Sequence, residues 1–366
     1  MTGVQTCALP ISRYGLLGWF CGANREINYP AGWYWPLRSR SLLRVECGAL
    51  DSGRSVASYN CATHACRSKA LMMTYLLYSF LWAVVRLLPE RAAFGLFKAL
   101  ADLGYRRNSK RVRRLRENYR RILMSGKSAV DASELERLVR EGLRNSMRYW
   151  CETFRISDWS IEFARSKSII EGLDNLQEAY SSRSGVIVAV PHAGNWDHAG
   201  YVITSLGMPV HTVAEHLEPE RLFIKFLEHR NRMGMTVLDL DKSPMPELAR
   251  FLKAGELVAL VSDRDLSKSG IDVKFFGETA RMPAGAAALA FDTGAKLLTA
   301  FVRYTGTGIA IQFSTPLNVN RSMDRSTEIR RVTQVIADEF ERSIAANPES
   351  WHMLQRIFVD KDFRSR

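Results

Sequence analysis

In the stretch VIVAVPHAGNWDHAG (186–200) a histidine, His192, and an aspartate, Asp197, stand just beyond a run of five apolar residues. A neutral imidazole, with an ordinary pKa near ~6.5, accepts a proton at physiological pH, and a neighbouring carboxylate fixes its tautomer and stabilises the imidazolium that forms. The chemistry this pairing suggests is general-base activation of a hydroxyl. The chain has no GxSxG, and Cys151 sits in a predicted helix with no histidine near it in sequence. The base would therefore act on a substrate hydroxyl directly. By itself HxxxxD is a weak pattern, and a histidine serving only the fold competes with it.

Other residues of the right type gather at similar places. Glu215 ends another predicted strand, and Arg230 falls near the end of the helix after it. Asp263, Arg264 and Asp265 end a third strand, and Arg281 precedes a helix start expected at 282–285. Any one of these could be ordinary surface charge. Ligands of open α/β sheets, however, collect outside the carboxyl ends of strands, so acids and bases at several strand ends describe a site more readily than unrelated loops.

The elements that must position them follow from periodicity. Residues 186–190 are apolar and mostly β-branched, as in a strand covered on both faces. Pro191 ends its ladder, and Asn195 is placed to cap a helix beginning at Trp196. Further strands are expected at 168–171, 210–214, 236–240, 257–262, 273–276 and 296–305, with 308–313 as a hairpin partner of the last. Helices fit at 132–154, 173–181, 196–205, 218–233, 245–254, 284–293 and 327–346. Strands alternating with helices predict an α/β fold with a mostly parallel central sheet flanked by helices.

The first seventy residues differ from the rest. They hold five of the six cysteines (Cys7, Cys21, Cys47, Cys61, Cys66), and GVQTCALPIS (3–12) matches the translation of a common sequencing adapter. Residues 1–71 are expected to be a non-native or disordered extension, with a start at Met72 or Met73. The spacing of Cys61, His64 and Cys66 matches no zinc pattern, and a signal peptide's basic-then-apolar order is absent. Single Cys151 beyond that point fits a reducing compartment.

Residues 72–155 form the next expected unit, helical, apolar and then basic, ahead of an α/β core at 156–366. The run MMTYLLYSFLWAVV (72–85) is shorter than the ~20 residues a bilayer span requires, so it is expected to lie against a membrane surface or in the core. It is followed by YRRNSKRVRRLRENYRRIL (105–123), with nine basic residues against Glu117 alone. An apolar helix followed by cations suits an anionic membrane surface. Nucleic acid is disfavoured, because no helix-turn-helix, zinc or stacking-aromatic motif accompanies the charge.

The segments PHAGNWD, VAEHLEPERLFIKF, SDRDLSKSGIDVKFFGETARMPAGAAALA and NPESWHMLQ (347–355), taken in order, resemble the successive signatures of actinobacterial phosphatidylinositol mannoside acyltransferases, within the superfamily of bacterial lipid A late acyltransferases. The resemblance covers roughly residues 72–360. It implies transfer of a long acyl chain from acyl-CoA to the 6-hydroxyl of a mannose on a phosphatidylinositol mannoside. The enzyme would be peripheral on the cytoplasmic face of the cell membrane and would use no metal or organic cofactor. His192 and Asp197 match the HxxxxD motif, and Asp263 stands where some members carry a glutamate partnering the histidine. Glu215 and Arg230 match substrate-binding positions.

On that footing either Asp263 or Asp197 orients the imidazole, and backbone N–H groups near Asn195 receive the oxyanion. Arg264 and Arg281 are expected to meet the phosphates of CoA; Asn195, Glu215, Arg230 and Asp265 are expected to meet the acceptor. A lipid A type acyltransferase is the nearest alternative, disfavoured by the DRDLSKSG and WHMLQ segments. A non-catalytic lipid-binding protein is the more distant one, since binding alone needs no base.

Overall fold

The structure, a computed structural model, describes residues 56–125, 129–265 and 269–359, with the side chains of 56–70 outside that description. The expectations for residues 1–55, and the metal reading of Cys61, His64 and Cys66, therefore fall outside it.

Among the described residues seven strands make one sheet: β1 (Ser168–Glu171), β2 (Val186–Val190), β3 (Val210–Ala214), β4 (Thr236–Asp239), β5 (Leu257–Val261), β8 (Lys296–Tyr304) and β9 (Ile309–Phe313). Their order is β1-β9-β8-β2-β5-β3-β4, and every neighbouring pair is parallel except β8 with β9. The apolar runs have a simple cause. Val186, Val188 and Val190 face one core together with Leu257, Val261 and Leu298, while Ile187 and Ala189 face the other with Val258, Leu260 and Leu297. Both sides of β2 and β5 are covered, so no polar residue alternates into them.

Helices α6 (Leu173–Ser181) and α7 (Trp196–Ser205) cover the first of those faces through Leu176, Ala179, Ala199 and Ile203. On the other lie α9 (Met245–Lys253), α10 (Gly285–Thr293) and α11 (Arg325–Ala346). The chain crosses from β5, on one side of β2, to β8 on the other. The carboxyl end of β2 therefore sits where crossovers diverge and leave a crevice.

The segment 271–282 departs from expectation. Where a single strand and then a helix start were anticipated, β6 (Ile271–Phe275) and β7 (Glu278–Met282) form an antiparallel hairpin, which puts Arg281 on a strand. Phe276 and Gly277, both at positive φ (50° and 77°), make its two-residue turn. That backbone suits Asn-Gly and strains a phenylalanine, so the sequence gives little signal for it. The turn is held from outside: the Phe276 amide donates to Glu341 Oε2 at 2.6 Å, and its ring packs on Phe275.

Preceding the sheet are α1 (Val56–Leu87), α2 (Glu90–Arg107), α3 (Lys110–Met124) and α4 (Ala132–Arg155), then the short α5 (Ile161–Ser166). Pro89 separates α1 from α2, and Asn108, left-handed at φ 44°, breaks the basic run between α2 and α3. Asp131 caps α4 by accepting from the Ser133 amide at 2.8 Å. The buried residues of these helices, among them Tyr78, Trp82, Phe97, Leu115, Tyr119 and Phe154, join the same core as α9 to α11.

Apolar all round in sequence, α1 is divided in the fold. Tyr78, Trp82 and Val85 are buried, whereas Met73, Leu76, Leu77, Phe80 and Leu87 are exposed, Phe80 by 64%. Among the described residues no helix is long and apolar enough to cross a membrane.

Candidate functional site

Register explains why His192 meets Asp263. Strands β2 and β5 are parallel with Val190 opposite Val261, and each of the two site residues lies two positions further on. The pairing continues past the strands, with the Ser262 amide donating to the Val190 carbonyl at 2.8 Å. Asp263 then holds His192 at two points: Oδ1 lies 2.5 Å from Nδ1, and Oδ2 accepts from the His192 amide at 2.9 Å. Both residues are buried. Burial pushes the Asp263 carboxyl up, but His192 and the hydrogen bonds it receives outweigh this and hold it below the usual range. With Nδ1 on the carboxylate, the ring's proton belongs there, and Nε2 has no hydrogen-bond partner.

The turn after β2 is tightly determined. The Gly194 backbone has φ 57°, and a Cβ there would lie 2.4 Å from the Val302 carbonyl oxygen, so only glycine fits. Its amide donates to the Ser350 carbonyl at 2.9 Å and the Ala193 amide to the Pro191 carbonyl at 2.8 Å. Neither amide is available to an oxyanion. Asn195 caps α7 through Oδ1, which accepts from the His198 amide at 3.0 Å, while Nδ2 donates to Glu152 Oε2 at 2.8 Å. Its buried side-chain amide is engaged on both sides by the fold.

Asp197, five residues past His192, has different partners. Arg230 grips it with Nε at 2.8 Å and Nη2 at 3.3 Å, and the Tyr149 hydroxyl donates to it at 2.8 Å. Burial raises the Asp197 carboxyl and Arg230 more than reverses the effect, leaving it below its ordinary value. Of the two carboxylates left open by the sequence, Asp263 is the one bonded to the imidazole. Arg230, expected at the substrate, is committed to Asp197 from α8 (Glu220–Arg232).

Glu215 follows β3 directly and lies within electrostatic reach of Arg264 and His192. Its Oε2 is buried without a hydrogen-bond partner, and burial raises its carboxyl above the usual range. Arg264 is buried beside Asp263, with Nε unpartnered. Asp265 is buried too, its amide donating to the Arg281 carbonyl at 2.9 Å. Arg281 pairs across the hairpin with Asp272 at 2.8 Å, so its guanidinium is engaged within the β6–β7 ribbon.

Several residues of the site carried no role in the sequence reading. Trp351 is fully buried, and its indole Nε1 donates to Asp263 Oδ2 at 2.8 Å. Next to it, His352 donates from Nε2 to the Gly194 carbonyl at 3.0 Å, and burial pushes its pKa down to about 4. Trp196 stacks on Tyr149 with ring centres 4.4 Å apart and meets His192 edge-on at 5.7 Å. The signal for Trp351 and His352 was their place in NPESWHMLQ; nothing in that segment's spacing says that it returns to β2. Among the described residues no three of His, Cys, Asp or Glu gather as a set that could hold a metal ion.

Fold and site define a doubly covered, mostly parallel α/β protein with a buried histidine–aspartate pair at the carboxyl edge of its sheet. Residues 64–359 match the bacterial lipid A biosynthesis acyltransferase family, and the chain belongs to it: it is an enzyme that transfers acyl groups. It is 36% identical over 290 residues to a phosphatidylinositol mannoside acyltransferase of Mycolicibacterium smegmatis, covering 78% of this chain and 92% of that one. The protein of the same description from Mycobacterium tuberculosis is 36% identical over 283 residues, 76% of this chain and 86% of its own. A lipid A biosynthesis palmitoleoyltransferase of Escherichia coli is 25% identical over 233 residues, 62% of this chain and 73% of its own.

Proposed function

We propose that the enzyme moves a long acyl chain from acyl-CoA to the 6-hydroxyl of a mannose on a phosphatidylinositol mannoside, with His192 as general base. The observation that carries this reading is the unpartnered Nε2 of a buried imidazole whose Nδ1 is fixed by a carboxylate. In that tautomer Nε2 offers a lone pair to an incoming hydroxyl. Proton transfer to Nε2 accompanies attack of the hydroxyl oxygen on the thioester carbonyl, forming the new C–O bond. The imidazolium, steadied by Asp263, then returns the proton to the thiolate as the C–S bond breaks.

The oxyanion falls to the first turn of α7, where amides have no partner inside the helix and the dipole favours negative charge. With the Ala193, Gly194 and His198 amides committed, those of Asn195, Trp196 and Asp197 are the ones assigned. Glu215 presents a carboxylate oxygen that the fold leaves unpaired, which suits an acceptor rich in hydroxyls, and Arg264 an unpaired guanidinium nitrogen, which suits the phosphates of CoA. Arg230 acts indirectly, by holding Asp197 in the helix that carries the turn. No metal or organic cofactor enters this scheme. Attachment to the membrane is peripheral and cytoplasmic, through the exposed stripe of α1 and the cations after it.

Mass spectrometry of products from one acyl-CoA and two acceptors offered together, a phosphatidylinositol mannoside and a lipid A precursor, tests the assignment. Acylated mannoside alone is expected, with His192→Ala slower by about 10²- to 10⁴-fold. Preferential acylation of the lipid A precursor would reverse the acceptor assignment, and an active His192→Ala would remove the base.

A further inference from the structure

Asp263 carries its charge inside the fold, held by donors from His192 and Trp351. Its carboxylate is fully buried and has three hydrogen bonds. Two come from His192 itself; the third comes from Trp351 Nε1, at 2.8 Å on Oδ2. A carboxylate can rotate about its Cβ–Cγ bond, and donors on both oxygens stop it.

We propose that Trp351 is a positioning residue for acyl transfer: its indole N–H fixes the aim and charge of the carboxylate that in turn holds His192. The inference rests on the reading of His192 as general base. Trp351 is well placed to be rigid. Its carbonyl accepts from the Tyr119 hydroxyl at 3.0 Å, and Ala193 forms a β-bridge with it beside the turn that carries His192. Downstream, Asn118 Nδ2 donates to the Met353 and Gln355 carbonyls at 2.8 and 3.0 Å; upstream, Asn145 Nδ2 donates to the Glu349 carbonyl at 2.8 Å. Helices α3 and α4 thus clamp the segment on either side of Trp351, and the indole transmits that fixed position to Asp263.

The direction of the effect follows from electrostatics. A donor on Oδ2 stabilises the aspartate most when its charge is uncompensated, opposite a neutral imidazole, and less when an imidazolium already faces it. Losing the donor disfavours the base-competent form relative to the ion pair, so the pair releases its proton at higher pH. Among the described residues, the other titratable groups facing it are Glu215 from the end of β3 and His352 from the C-terminal segment, with Arg264 next to Asp263 in the chain. His352, at about 4, is neutral across the working range. Glu215→Gln serves as the control that separates the contribution of Glu215.

The test compares Trp351→Phe with the parent on the full chain, with and without Asp263→Asn. Trp351→Phe is expected to lower kcat by roughly 10- to 100-fold, the worth of one hydrogen bond to a charged group, with KM for acyl-CoA little changed. The acid limb of kcat should move up by about half to one pH unit, also in the Glu215→Gln background. In Asp263→Asn the same tryptophan change should cost less than about twofold, since its acceptor's charge is gone. A loss that merely follows the folded fraction, an unmoved acid limb, or losses that add fully in the double variant would overturn the proposal. If Trp351→Phe does not fold, the parent itself answers: one of its eight indole N–H resonances should titrate with the acid limb and shift in Asp263→Asn, and failure to find it rejects the coupling. An active His192→Ala would instead reject the general base and leave the Trp351–Asp263 coupling to be judged by the resonance alone.

Discussion

Two aspartates flank His192, one in sequence and one in space, and their partners set different consequences for losing each charge. Asp263 faces an imidazole and an indole; Asp197 faces a guanidinium and a phenol. Asp197→Asn would leave the largely covered Arg230 guanidinium uncompensated beside a buried site, a change that in a fully buried pair costs about 3–5 kcal/mol and here somewhat less. Its expected result is a markedly lower unfolding temperature, with kcat of the folded fraction changed far less. Asp263→Asn leaves no cation stranded and keeps the shape, so stability should fall little while kcat drops by about 10²- to 10⁴-fold. Denaturation midpoints set beside kcat for the two variants check this, and the reverse assignment of the two losses would refute it. The spacing of HxxxxD could not settle the point. Asp197 is near His192 because helix α7 follows the turn, whereas Asp263 is near it only because β5 pairs with β2, a fact of strand order that a separation of 71 positions in the chain does not reveal. Likewise Arg230 and Asn195 are polar residues of the right kind that the fold had already engaged.

At the scale of elements, what the sequence expressed well was burial with regular period, and what it expressed poorly was anything fixed by a partner element. The helices Leu173–Ser181 and Trp196–Ser205 and the strands Ser168–Glu171 and Val210–Ala214 lie where periodicity places them. Strand β7 does not announce itself, because its turn is built on a phenylalanine held by Glu341 of α11. Helix α1 shows the opposite limit: an uninterrupted apolar run has no period, so its buried face was invisible until Trp82 packed on Phe154, Phe226 and His229. What remains exposed, Met73, Leu76, Leu77, Phe80 and Leu87, recurs at helical spacing. Placing one such side chain in an apolar phase is worth about 1.5–3 kcal/mol. Phe80→Asp should therefore weaken sedimentation with lipid vesicles by roughly tenfold or more, with thermal stability unchanged because the side chain touches little of the core. Equal binding by the variant would take α1 out of the membrane contact.

For the whole molecule, charge governs both how the fold responds to acid and what surface it approaches. His229 and His352 are buried, and burial depresses each pKa to about 4. The unfolded chain binds protons on them from about pH 6.5 downward while the native state refuses them, so stability is full above that pH and falls as pH drops towards 4. Unfolding temperatures measured from pH 7.5 to 4.5 should decline across this window, and His229→Leu should flatten the slope. An unchanged slope would mean that another group sets it.

The same balance bears on attraction to lipid. Fifty-one lysines and arginines against thirty-eight acidic residues give a net charge of +13. Exposed Arg106, Arg107, Lys110, Arg113 and Arg120 sit at the end of α2 and on α3, one helix after the apolar stripe of α1. A cation near an anionic leaflet contributes about 1 kcal/mol, and that contribution reaches only about a Debye length, ~10 Å at 0.1 M salt and ~3 Å at 1 M. Apolar insertion has no such dependence. The two contributions should therefore separate. Binding of the parent to vesicles containing anionic lipid should fall steeply between ~0.05 and ~0.5 M salt and level off at a residue of apolar affinity. Phe80→Asp should keep the salt dependence and lose the plateau, while Arg106→Glu with Arg107→Glu should keep the plateau and lose much of the slope. A parent that binds neutral and anionic vesicles alike, at all salt concentrations, would show that charge plays no part and that the apolar stripe alone brings the enzyme to its lipid acceptor.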